Sequence, residues 1–257
     1  MFKRTLVLLV LLAIAGPATA ATLSAFVTQA IEVALVRLAA DFKAQTGHEV
    51  SFRFDTSPAI GRRVGAGETG DVIVASASVV DQATREGRVI ASTRLEIGRV
   101  ALGVATRRGA PQPDISSVDA LKTALRRADT VLYSQGTSGL YIEKMLATVG
   151  LDVALKGTAV QTSSAAVALD RLANSTGDVI AFASISEIRA NEAKGVTFVG
   201  PLPPAVQNYT TYAAAVLTMS SSSEAARDFV RFITTPAAKG VMTSTGWESV
   251  PATPGRK

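Results

Sequence analysis

Three hydroxyl-rich stretches stand directly before amphipathic segments: Thr56, Ser57 and Pro58; Ser134, Thr137, Ser138 and Gly139; and Thr162, Ser163 and Ser164. Such residues cap helices, because a Ser or Thr oxygen accepts hydrogen bonds from the amides that open a helix. Helix starts also leave N–H groups unpartnered and carry a partial positive charge, so they hold anions. Each stretch therefore reads either as a cap alone or as a cap that also touches an anion. Composition closes off other chemistries. With no Cys there is no disulfide, thiol nucleophile, zinc knuckle or iron–sulfur site. The single His, His48, rules out multi-imidazole metal clusters, and any Ser-His-Asp triad would have to rest on it. It sits at a helix-to-strand turn, away from the hydroxyl stretches. The G-x-S-x-G spacing of a nucleophile elbow is not met. No metal site and no cofactor are expected.

The charged residues are less decisive. Arg62 and Arg63 lie more than a turn inside a helix; they form a solvated face, or one of them clamps a carboxylate by a paired hydrogen bond. Asp55 would orient such an Arg or repel an anion. The formal net charge is +5, but the basic residues are scattered, with no stripe interleaved with aromatics. Nucleic acid is not an expected partner. A mild positive field still attracts a small anion.

The chain opens with a leader. Lys3 and Arg4 precede an apolar run over residues 6–15, Gly16 and Pro17 break it, and Ala18-Thr19-Ala20 forms an A-x-A cleavage pattern. The run is too short to span a bilayer, so residues 1–20 read as a secretory signal peptide. The expected location is the periplasm, without stable membrane insertion.

From there, strand and helix signals alternate, which argues for α/β layers. Strands are expected near 22–27, 50–54, 71–75, 99–106, 130–134, 157–161, 178–183, 196–199 and 210–219. Helices are expected over 31–45, from Ser57 to about 65, from 76 to 86, and over 117–127, 138–149, 163–172, 186–193 and 224–233, with a frayed tail over 252–257. The polar loop 107–114 and the stiff Gly200-Pro-Leu-Pro-Pro204 mark two crossings. The expected architecture is α/β with two lobes, two crossovers and a ligand cleft between them. One lobe comprises residues 21–104 and 206–257; the other comprises 105–205.

The segments "DFKAQTGHEV", "TSPAIGRRVGAGETGDVIVASA" and "SQGTSGLYIEKML" carry a resemblance. The mature chain resembles the periplasmic molybdate-binding proteins, within the type II solute-binding proteins. The resemblance implies a type II periplasmic-binding-protein-like fold. It also implies a small anionic ligand held by helix starts and hydroxyls, a partner permease of the ATP-driven (ABC) import class, and a monomer. Position by position, the family's first ligand Ser matches Ala30, preceded by Thr28 and Gln29. The second is kept as Ser57, beside Thr56. Backbone contacts in the other lobe match Ser138 and Ser163. The family's Tyr hydroxyl matches Phe182.

Two hydroxyl donors are thus absent, at Ala30 and Phe182. A hydrogen bond to a charged group is worth about 1.5–3 kcal/mol, so two amount to roughly 3–6 kcal/mol, or about two to four decades of affinity, unless Thr28, Gln29 or a water replaces them. The expected ligand is therefore not molybdate but a bulkier organic polycarboxylate. Isomerases acting on aconitate also resemble this family. That alternative needs a base to move a proton next to a carboxylate, and Glu143, Tyr141 and Asp55 are candidates that no spacing separates.

Overall fold

The computed structural model describes residues 20–251. The leader reading, apart from Ala20, and the tail reading fall outside these residues. In chain order the elements are β1 (Thr22–Thr28), α1 (Glu32–Thr46), β2 (Glu49–Asp55), α2 (Ser57–Gly65), β3 (Val72–Ser76), α3 (Ala77–Arg85) and β4 (Leu95–Arg107). Then follow α4 (Val118–Arg127), β5 (Thr130–Ser134), α5 (Thr137–Thr148), β6 (Ala159–Thr162), α6 (Ala165–Ala173), β7 (Val179–Ser184) and α7 (Ile185–Asn191). The chain closes with β8 (Val196–Pro201), β9 (Tyr209–Val216), α8 (Ser223–Phe232) and α9 (Pro236–Ser244).

Local chemistry explains most boundaries. Thr56, Ser117, Ser164, Ser184 and Thr235 each cap a helix by accepting an amide hydrogen bond. In α2 the cap is Thr56; Ser57 and Pro58 are already helical. Gly47 ends α1 in the left-handed region at φ 77°, a conformation that costs Gly little. Helix α9 has no counterpart in the sequence reading. Thr235 and Pro236 start it well, but Gly240 and few apolar residues blur its period.

The strand order β2-β1-β3-β9-β4-β7-β5-β6, with β8 also on β4, divides into two lobes. In the first, β1 runs parallel to β2 and β3, while β9 is antiparallel to β3 and β4. In the second, β5 runs parallel to β6 and β7, and β7 and β8 are antiparallel to β4. The long strand β4 serves both: Leu95–Ala101 pair with β9, and from Leu102 onward the partners are β7 and β8. The return passage is tied to it by Gln207, whose carboxamide accepts from Leu102 N (3.1 Å) and donates to Leu102 O (3.0 Å). The two crossings therefore meet at one point.

The period of two along each strand sends alternate residues to opposite faces. In the first lobe Val27, Val74 and Ala214 join the core under α1 and α8, while Phe26, Ile73 and Ala215 join the core under α2 and α3. In the second lobe Val104, Val131 and Phe182 face one core, and Ala105, Leu132 and Ala181 the other. Each sheet is thus covered on both faces, and the helix starts stand at the strand ends between the lobes.

Candidate functional site

Four chain turns meet between the lobes. Thr28, Gln29 and Ala30 follow β1, Thr56 and Ser57 open α2, Ser134 through Ser138 join β5 to α5, and Ala165 opens α6. They enclose about 20 Å³, room for about one water. The opening turns of α2, α5 and α6 leave amides without intrahelical partners, including those of Ser57, Thr137, Ser138 and Ala165. No Lys or Arg lines this cavity. The favourable potential for an anion comes from the helix starts.

The hydroxyls are committed to differing degrees. Ser57 is 2% exposed, and its Oγ accepts from Ser76 N at 3.0 Å. That contact uses a lone pair and leaves the Ser57 proton free to donate into the cavity. Ser134 Oγ accepts from Gly136 N at 3.1 Å. Thr28 and Ser138 are buried at the wall. Replacing Ser57 by Ala is expected to leave the buried Ser76 amide unpaired and to cost about 1–3 kcal/mol. Denaturant titration reads this loss, and the same variant should also bind its anion less tightly.

Of the positions singled out from sequence, Thr28, Gln29, Ala30, Thr56, Ser57 and Ser138 line the cavity together. Ser163 does not: it is exposed one residue before the cap Ser164, and Ala165 takes the place at the wall. Phe182 does not reach it either. At 1% exposure it faces the core with Val104 and Val131, because its parity along β7 points it into the lobe. Arg62 is exposed, and Arg63 holds Glu68 at 2.7 Å over the Phe26 ring, so neither enters the cavity. His48 Nδ1 accepts from Ala21 N at the outer end of β1.

Two residues at the wall were not singled out. Tyr212, on β9, brings a phenol to the cavity, the group lacking at Phe182. Glu187, on α7, brings a carboxyl. Its Oε2 accepts from Ser184 Oγ at 2.6 Å and from Ser184 N at 3.3 Å, completing a capping box. Burial pushes the Glu187 pKa above the usual carboxylate value, against the lowering effect of those two bonds. Burial, and then the Glu187 charge, push the Tyr212 phenol well above its usual value. The Ser-x-x-Glu pattern over residues 184–187 was a legible helix-start signal; its place in the cleft was not.

Glu187, Gln29 and Ala30 also border a second, larger space of about 150 Å³, which continues along α7 past Asn191 and Lys194. Between the two spaces the lobes touch. The Ala30 carbonyl accepts from Ser186 Oγ of α7 at 2.8 Å and from Trp247 Nε1 at 3.2 Å. Of the three candidate bases, Tyr141 donates to Val206 O, Glu143 is exposed and Asp55 accepts from Thr56 N. None of them lines the cavity.

The pattern described as "Bacterial extracellular solute-binding protein" matches residues 23–248, nearly all of the described chain. The chain belongs to this family of bacterial extracellular solute-binding proteins. The solute-binding protein is also 31% identical over 209 residues to an aconitate isomerase of a Pseudomonas species, covering 78% of this chain and 75% of that one. Its fold matches the periplasmic molybdate-binding protein of Azotobacter vinelandii with a TM-score of 0.75 at 18% identity, over 89% of this chain and 99% of that one. It matches a sulfate-binding protein of Mycobacterium tuberculosis with a TM-score of 0.74 at 18% identity, over 90% and 88% of the two chains. These structural likenesses show the two-lobed α/β fold. Among the described residues, no helix is long and apolar enough to cross a membrane.

Proposed function

We propose that this protein binds a small organic polycarboxylate between its lobes. Among the described residues, 21–104 with 206–251 form one jaw, 105–205 form the other, and the jaws turn about Leu102 and Gln207. One carboxylate sits among the helix starts at Ser57, Ser138 and Ala165. The observation that carries the reading is that the small cavity and the larger space lie side by side and share Gln29, Ala30 and Glu187 as walls. A tetrahedral oxyanion has no use for the second space; a polycarboxylate extends into it toward Lys194. Exported by its leader to the periplasm, the protein hands this ligand to an ABC-type permease.

A melting series tests the reading. At a hundred times its dissociation constant a ligand adds about 2.7 kcal/mol, which for a chain of this size raises the melting temperature by roughly 5–10 °C. Citrate or an aconitate isomer should produce that shift, and molybdate and sulfate should not. A shift with molybdate alone would overturn the polycarboxylate reading.

A second reading is favoured by the carboxyl at the wall and by the 31% identical relative. On it, the protein interconverts trans- and cis-aconitate in the same cleft. Delivery alone needs no carboxyl facing a bound anion, whereas a proton shift needs a group that exchanges a proton there.

A further inference from the structure

The second reading requires a base, and the cleft holds one carboxyl in a position to act. Oε2 of Glu187 is tied to Ser184, a residue with no exposed surface, so the side chain is anchored to the start of α7. Oε1 has no hydrogen-bond partner among the described residues, and Glu187 borders both the small cavity and the larger space. A ligand with one carboxylate among the helix starts and another toward Lys194 lays its middle carbons across Glu187.

We propose that Glu187 Oε1 carries the proton between the two outer carbons of a bound aconitate; the proposal rests on the isomerase reading. Oε1 removes a proton from the methylene carbon beside one carboxylate, and the C–H electron pair becomes the new double bond to the central carbon. The electron pair of the old double bond takes that proton at the far carbon. One C–H bond breaks and one forms, the double bond moves one position, and Glu187 ends as it began. No oxidant, reductant or co-reactant is consumed. The carbanion that develops lies near Tyr212, whose phenol stays protonated and is able to donate a hydrogen bond toward it.

The titratable groups bordering the two spaces around Glu187 are Tyr212 on β9, Glu32 on α1 and Lys194 beyond α7. The elements packed on α7 from its own lobe, β4, β7, β8 and α6, bring no other titratable side chain to either space. The base must be ionised, so kcat should fall as pH drops through the Glu187 pKa. Because burial raises that pKa, the fall should begin above the usual carboxylate range.

The test compares the full chain with its Glu187→Gln variant. Gln keeps the capping interaction at this helical position, so α7 stays in place. Conversion of trans-aconitate is followed, together with the melting shift produced by citrate. The expected result is a loss of turnover by about 10²–10⁴-fold, with the citrate shift kept. Turnover by Glu187→Gln within tenfold of the parent would overturn the role of Glu187 and leave the isomerase reading standing. A parent protein that shifts with citrate but converts neither aconitate isomer would overturn both, leaving polycarboxylate binding.

Discussion

Gly139→Ala is expected to cost at least about 3 kcal/mol, the upper end of the overpacking range, and to lower the melting temperature by roughly 6–12 °C. Gly139 lies in the first turn of α5, against the end of β5. A Cβ built there stands 1.6 Å from Ser134 O and 2.5 Å from Ser134 C. These are backbone atoms, so no rotamer change relieves the clash and the start of α5 must move off the strand. That movement displaces the amides of Thr137 and Ser138 from the cavity wall, so the variant should also lose its anion-induced melting shift. A scanning melt with and without citrate reads both effects. A parent-like melting temperature would mean that α5 and β5 are not packed this closely.

Trp247→Ala is the second large expectation, at about 3–5 kcal/mol and roughly 6–20 °C in melting temperature. Trp247 is 2% exposed, and its ring centroid lies 4.8 Å from that of Tyr212. Its Nε1 donates to the Ala30 carbonyl, which Ser186 Oγ reaches from the other lobe. Truncation opens a cavity behind Tyr212 and frees one side of the turn after β1. The expected signature is lost stability together with weaker ligand binding. Trp247→Phe separates the two causes, since it keeps most of the packing and removes only the hydrogen bond. It should recover most of the stability and little of the affinity lost through the Ala30 turn. Equal recovery of both would assign the whole effect to packing.

The alternation of elements was legible because its signals are local. Period-two runs such as Val131 and Tyr133, and hydroxyl caps such as Ser117, act within a few residues of themselves. The family resemblance placed Thr28 through Ala30, Thr56, Ser57 and Ser138 for the same reason: each sits at a fixed offset from a strand end. Ser163 and Phe182 were misplaced by small errors of phase. Two residues along a helix start exchange an exposed Ser163 for a wall-lining Ala165. One position of strand parity sends Phe182 into the core instead of the cleft.

Thus the sequence alone determined the α/β order, the exclusion of thiol and multi-imidazole metal chemistry, and the helix starts available to an anion, all of which depend on composition or short-range pattern. Only the tertiary structure decided which starts meet and what joins them. Glu187 reads locally as the last residue of a capping box, and Tyr212 as one position in an apolar strand. They become neighbours of Ser57 and Ser138 because β4 pairs with β9 in one lobe and with β7 and β8 in the other, and the chain returns through Gln207. Such long-range strand pairing leaves no trace in residue spacing, because its energy lies in contacts between segments 76–119 residues apart.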